Sequence, residues 1–310
     1  MRSLARLVSL VEDGASAADS GGPAPPLRAV LRAVAPHTGT AWVIGLTGSP
    51  GVGKSTVTDR LVRAYRETGR RVAVLAVDPT SPFSGGALLG DRVRMSDHAT
   101  DSGVFIRSMA TRGHLGGLSL AAPQALRVLD AAGFDVICVE TVGVGQAEVE
   151  IAGLADSTLV VMAPGLGDSI QTAKAGILEI ADAFVVNKSD RPGAQDVVRD
   201  LRTMLAMAGS DRDRGGGWKP PIVSVTATTG EGIDELTAKL DAHWTWLGES
   251  GRRQERRVKR AREEISAIAV AEIRRRVGAL PGESRLDELA AQVAGGKLDP
   301  YSAADELIAD

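Results

Sequence analysis

Three short stretches of this chain carry residues suited to nucleotide chemistry. The first is Gly48-Ser49-Pro50-Gly51-Val52-Gly53-Lys54-Ser55, with the G-x-x-x-x-G-K-[ST] spacing of a phosphate-binding loop, the P-loop. Its glycines let backbone N–H groups turn inward around phosphate oxygens. A helix starting at its end adds a positive dipole terminus. Lys54 can reach the β- and γ-phosphates, and the Ser55 hydroxyl can ligate magnesium; with Thr56 this loop forms the candidate phosphate site. The second stretch is Asp135-Val-Ile-Cys-Val-Glu140-Thr-Val-Gly143. Its apolar run delivers a carboxylate, Glu140, suited to a magnesium site, since magnesium prefers oxygen ligands. Gly143 can present its N–H to a γ-phosphate and so sense it. Many GTPases carry D-x-x-G here; this chain has E-x-x-G. The third is Asn187-Lys188-Ser189-Asp190, an N-K-x-D pattern. The Asp190 carboxylate can accept hydrogen bonds from the N1–H and exocyclic amine of guanine, which adenine cannot offer in that arrangement. Asn187 would hold the loop and face the base, with the Lys188 stem over its plane. Thr226-Ala227-Thr228 would complete the base site, with the Ala227 N–H meeting guanine O6.

These residues need a scaffold that brings strand ends together. Apolar runs at 41–46, 72–77, 103–108, 135–140, 157–163, 183–187 and 221–226 alternate with helical patterns. Such alternation predicts an α/β fold, a mostly parallel sheet covered by helices on both faces. Ligands bind such sheets beyond the carboxyl ends of the strands, where each stretch above falls. Residues 1–40 read as a short N-terminal helical extension, with a linker over 13–26 by composition. Residues 41–248 form the nucleotide domain. Residues 210–220 read as a charged, glycine-rich excursion. Residues 249–310 form a longer helical arm, dense in arginine and too poor in apolar surface for a core of its own. It should pack on the nucleotide domain, a second copy or another protein.

Other residues stay open at this level. Asp78 and Asp91 can each hold magnesium, directly or through water, or be a solvated loop aspartate or helix cap. His114 reads as structural or partner-contacting. Lys174, after the glycine-rich segment Ala163–Asp168, reads as a surface lysine. The one cysteine, Cys138, excludes an internal disulfide framework; its apolar surroundings predict a buried, inert thiol. The net charge is −3, and glutamates intersperse the C-terminal arginines without interleaved aromatics, which argues against nucleic acid. No apolar run has membrane-spanning length and no signal-peptide core is visible, so the expectation is a cytoplasmic protein with no membrane association.

With these motifs in hand, the chain resembles one family closely, the methylmalonyl-CoA mutase-associated GTPases of the MeaB/ArgK type. These were once also described as lysine/arginine/ornithine transport ATPases. The matching stretches are GLTGSPGVGKST, AVLAVDPTS, GGALLGDRVRM, VFIRSMATRGHLGG, GFDVICVETVGVGQAEVE, GLGDSIQTAKAGILEIAD and VVNKSD. The resemblance implies a P-loop GTPase using magnesium with GTP or GDP, and Asp78, Asp91 and Glu140 joining Ser55 at the metal. It implies that residues 163–174 are a further switch loop, with Lys174 approaching the nucleotide when the partner binds. Lys54, Gly143 and Lys174 are then the candidate catalytic residues. It also implies a homodimer built through the C-terminal helices, and a role as chaperone of an adenosylcobalamin-dependent acyl-CoA mutase, gating cofactor loading and the departure of damaged cobalamin. No cobalamin site is identified in the chain itself. The alternative is a regulatory or transport-linked NTPase or kinase. Val144 stands where Ras-like enzymes place a water-orienting glutamine, and Gln146 comes two residues later, so hydrolysis without a partner is expected to be slow.

Overall fold

The apolar runs become seven parallel strands in the order β3-β2-β4-β1-β5-β6-β7. The computed structural model describes residues 1–19, 25–79, 95–98, 100–111, 121–141, 147–165, 175–212, 217–278 and 283–309. The strands are β1 (Trp42–Thr47), β2 (Val72–Pro79), β3 (Val104–Thr111), β4 (Val136–Thr141), β5 (Ser157–Met162), β6 (Ala183–Asn187) and β7 (Ile222–Val225). Every residue of β1, β4, β5 and β6 is buried. A parallel sheet with both faces covered permits such unbroken apolar runs.

Side-chain alternation along β1 divides the core. Trp42, Ile44 and Leu46 face a layer that holds Val57, Leu61 and Tyr65 of α3 (Lys54–Glu67). Val43 faces the opposite layer, with Leu126 and Leu129 of α4 (Ala121–Ala131) and Ile151 of α5 (Ala147–Leu154). Gly45 has no room for a side chain there: a Cβ would lie 2.9 Å from Ala155 Cβ and 3.0 Å from Ile151 Cγ1. The remaining helices flanking the sheet are α6 (Ala175–Ile180), α7 (Ala194–Arg212) and α8 (Ile233–Glu249).

The N-terminal segment departs from the compositional expectation. Its first helix runs from Arg2 to Asp19 and the second from Pro25 to Val34, so most of the expected linker is helical. Alanines at 15, 17 and 18 carry good helix propensity, which outweighs Gly14. Val8, Val11 and Leu27 are buried within the same layer as α4 and α5. Arg107 of β3 ties Ser9 (3.0 Å) and Glu12 to the sheet edge. The excursion at 210–220 is also shorter than expected, because α7 continues to Arg212. Beyond it Trp218 is anchored, its Nε1–H donating to Asp182 O at 2.7 Å.

The arm begins with α9 (Arg252–Gly278), followed by α10 (Glu283–Ala294) and α11 (Pro300–Ala309). Its arginine density has a structural cause. Arg256 forks onto both oxygens of Asp182, at 2.8 Å each, and also donates to Asp156 O at 2.6 Å. Arg260 donates to Asp156 Oδ1 at 2.8 Å and to Leu154 O. Arg257 reaches Gly39 O and Ala41 O, the latter at 2.9 Å. Asp156 and Asp182 precede β5 and β6, and both are buried. The first half of α9 is therefore stapled to the amino-terminal edge of the sheet. Further along α9, Ile265, Ile268, Val270 and Ile273 are exposed, as is Leu286 of α10.

Candidate functional site

The opposite, carboxyl-terminal edge gathers the three motifs. β1 lies between β4 and β5, so the loop leaving β1 is flanked by Glu140 on one side and Val161 on the other. Gly48, Gly51 and Gly53 all have positive φ, at 141°, 79° and 94°. A Cβ on Gly48 would collide with the Val161 carbonyl oxygen, and one on Gly53 with the Asn187 amide nitrogen. The glycines thus allow both the turn and the close approach of neighbouring strands. Lys54 is only 8 % exposed. Its Nζ donates to Gly48 O at 2.6 Å and Ser49 O at 3.2 Å, closing the cradle across its own loop.

Strand register brings Glu140 to the loop: Leu46, next to the end of β1, pairs with Glu140 of β4. The carboxylate is 1 % exposed. Its Oε1 accepts from Ser55 Oγ at 2.8 Å and its Oε2 from Thr58 Oγ1 at 2.6 Å. Ser55 thus donates its hydroxyl proton to Glu140. A hydroxyl and a carboxylate held together are hard oxygen donors that suit magnesium. Asp78 stands one residue before the end of β2, beside β4, whose register sets Val77 against Thr141, so its backbone reaches the same edge. Asp91, Gly143 and Lys174, with Val144, Gln146 and His114, lie outside the described residues. Cys138 is buried two residues before Glu140. Burial, and then the Glu140 charge, push its thiol up to about 12, so it stays a protonated, unreactive group.

Thr58 was not distinguishable in the sequence from any other helix residue. Losing its hydroxyl would leave a buried carboxylate oxygen short of one donor, a cost of about 1–3 kcal/mol. Thr58→Val is therefore expected to lower the unfolding free energy by about that amount, and Thr58→Ser to restore most of it. Urea unfolding checks this; equal stability of parent and Thr58→Val would contradict it.

The base side is built from struts. Asn187 ends β6, and its Nδ2 donates to Val52 O at 2.8 Å while its Oδ1 accepts the Ala227 N–H at 3.1 Å. Both ends of the amide thus engage protein backbone, binding the base loops to the phosphate loop. The Ala227 N–H expected for guanine O6 is accordingly directed at Asn187. Lys188 adopts a left-handed φ of 58°, and its Nζ donates to Gly51 O at 2.7 Å. Its stem therefore crosses from the base loop to the phosphate loop. Ser189 Oγ pairs with Thr226 Oγ1 at 2.9 Å. Asp190 is exposed, with its carboxylate accessible to an incoming base. Arg60 of α3, unremarked in the sequence, donates to Ala227 O at 2.7 Å and Thr228 O at 2.6 Å. Phosphate loop, magnesium-type carboxylate and base loops thus form one hydrogen-bonded unit.

Known proteins resemble this chain over much of its length. The family profile described as methylmalonyl Co-A mutase-associated GTPase MeaB matches residues 4–281. The Pyrococcus abyssi protein PYRAB02490 is 49% identical over 307 residues, spanning 99% of this chain and 92% of the relative. The GTPase ArgK of Escherichia coli is 38% identical over 226 residues, spanning 73% of this chain and 68% of the relative. The mouse methylmalonic aciduria type A homolog is 40% identical over 197 residues, spanning 62% of this chain and 46% of that protein. Among solved structures, a LAO/AO transport system kinase superposes with a TM-score of 0.68 at 26% identity, covering 99% of this chain and 97% of the other.

Proposed function

Since the chain belongs to the methylmalonyl-CoA mutase-associated GTPase (MeaB) family, we propose that it is a GTP-hydrolysing chaperone of an adenosylcobalamin-dependent acyl-CoA mutase, most simply methylmalonyl-CoA mutase. Its GTP cycle gates cofactor loading and the release of damaged cobalamin. The observation that carries the nucleotide part is the bonding of Asn187 and Lys188 to the carbonyls of Val52 and Gly51. That link joins guanine recognition to phosphate binding. The mutase part is supported by the family and by the name of the mouse relative.

In this reading residues 48–56 hold the phosphates through loop N–H groups and Lys54. Ser55 and Glu140, with Asp78 and Asp91, would hold magnesium, which would supply charge neutralisation to the phosphates. Gly143 reports the γ-phosphate through its backbone. Asp190 reads the guanine edge. Val144 cannot orient an attacking water, so the isolated protein hydrolyses GTP slowly. Binding of the mutase reorders residues 141–150 and 163–174 and brings Lys174 onto the transition-state charge. The exposed Ile265, Ile268, Val270, Ile273 and Leu286 support a homodimer formed through the arm. Among the described residues no helix is long and apolar enough to cross a membrane.

Single-turnover GTP hydrolysis with and without the mutase tests the proposal. The partner is expected to accelerate the parent by about a thousandfold and Lys174→Ala far less. A fast isolated protein that ignores the mutase would overturn the switch mechanism. Equal acceleration of both proteins would remove Lys174 from it. Phosphate appearing on a protein or small molecule instead of in solution would favour the transport-linked kinase alternative.

A further inference from the structure

We infer that Thr58 is a positioning residue for magnesium: its hydroxyl fixes the Glu140 carboxylate so that one oxygen stays on Ser55. The inference rests on the magnesium reading above and adds to it the residue that sets the carboxylate's orientation.

Glutamate at this place asks more of its surroundings than aspartate would. Its side chain has one more rotatable bond, and so more freedom to lose when it is ordered. A carboxylate held at one oxygen can still turn about its last bond. Ser55 Oγ holds Oε1 at 2.8 Å, and Thr58 Oγ1 holds Oε2 at 2.6 Å. Ser55 and Thr58 stand three residues apart on α3, so their side chains share one face of the helix. A single helix thus grips both oxygens of a carboxylate delivered by β4. A group held at two points keeps its plane as well as its place.

The single hydroxyl proton of Thr58 has two acceptors within reach. Lys54 O lies at 3.1 Å and Glu140 Oε2 at 2.6 Å. A threonine inside a helix commonly bonds the carbonyl four residues back. Here the carbonyl is the weaker acceptor, because it is neutral and farther away. An O–H bond onto a carboxylate is about twice as strong as a neutral one and settles at about 2.5–2.7 Å. The hydroxyl therefore serves Glu140. Thr58 is 0% exposed and Glu140 1%, so water cannot stand in for that donor once it is removed. Without it the carboxylate loses one of its two restraints from α3. Order that the folded protein supplies in advance would then have to be imposed when the metal binds, which weakens binding.

The test follows release of a fluorescent GDP across free magnesium concentrations in the parent, Thr58→Val, Thr58→Cys and Thr58→Ser. Valine keeps the shape and removes the donor, cysteine keeps a weak donor, and serine keeps the hydroxyl. Thr58→Val should need about tenfold more magnesium than the parent to retain GDP, the weight of one well-placed hydrogen bond. With magnesium chelated, its GDP affinity should match the parent's, since loop N–H groups and the base loops then hold the nucleotide. Thr58→Cys should fall between, and Thr58→Ser should restore the parent's magnesium midpoint. A merely structural Thr58 would lower the stability of the valine variant and leave its midpoint at the parent's value, overturning the inference. A lower midpoint would overturn it too. Thr58→Cys supplies the same comparison should the valine variant fold poorly. Failure of the magnesium reading itself would look different: the parent would retain GDP equally at every magnesium concentration, and the inference would fall with it.

Discussion

Replacing Asp190 by asparagine is expected to reverse the base preference of the protein from guanine toward xanthine. The Asp190 carboxylate offers two acceptors to the N1–H and amine of guanine. Asparagine offers one acceptor and one donor, which complement the N1–H and C2 carbonyl of xanthine. Asp190 is exposed in the structure, so the incoming base itself removes it from water. A base that cannot pair then leaves a desolvated carboxylate, and sites of this kind reject the wrong ligand by about 10⁴–10⁵. Asn187 and Lys188 keep the loop attached to the phosphate loop, so the substitution should alter selectivity without dismantling the site. Competition of GTP, XTP and ATP against a fluorescent GDP in parent and Asp190→Asn measures it. A parent that binds ATP as well as GTP would refute this assignment.

The second large effect concerns stability and lies at the other end of the sheet. Asp182 is buried, and burial alone would push its carboxyl up. The two hydrogen bonds and charge of Arg256, with His243 Nε2 3.3 Å away, more than offset this and bring it down to about 2. Its folded pKa is thus below the ordinary value of 3.8. The associated stabilisation is full above about pH 4 and is lost as pH falls toward 2, amounting to about 2 kcal/mol. Arg256→Ala removes the main partner and strands a buried charge. Breaking such a pair costs about 3–5 kcal/mol; the low end is expected here because the Arg256 side chain remains 36% exposed. Urea unfolding at pH 7 should show a loss of about 3 kcal/mol, and the acid-side decline of the parent between pH 4 and 2 should be smaller in the variant. Unchanged stability at pH 7 would show that the arm is not fastened by this pair.

The sheet was legible because buried parallel strands write themselves as continuous apolar runs, and each expected run corresponds to a strand with ends shifted by at most a few residues. The phosphate and base motifs were legible because glycine at positive φ and side chains at fixed offsets leave a local signature. Arg60, Thr58, Asp156 and Asp182 were not. Each acts on a residue far away in sequence, and a polar residue in a helix or strand end reads as solvent-facing until its partner is located. The arm illustrates this: Arg256, Arg257 and Arg260 resemble any charged helical face, yet they meet buried carboxylates and strand-edge carbonyls. The N-terminal segment failed for the converse reason, since small residues suggest a linker but also propagate a helix.

The strand order also bears on how the molecule is assembled during synthesis. The phosphate loop follows the first strand, but that strand is flanked by the fourth and fifth, and the loop's remaining supports come from Asn187 and Lys188. Contacts this distant in sequence fold slowly, because loop closure precedes any gain from pairing. A nascent chain therefore emerges from the ribosome with its phosphate loop early and unsupported, and acquires a nucleotide site only once β6 has been made. From that moment GTP or GDP acts as a folding ligand, drawing the completed chain toward the native state in proportion to its concentration.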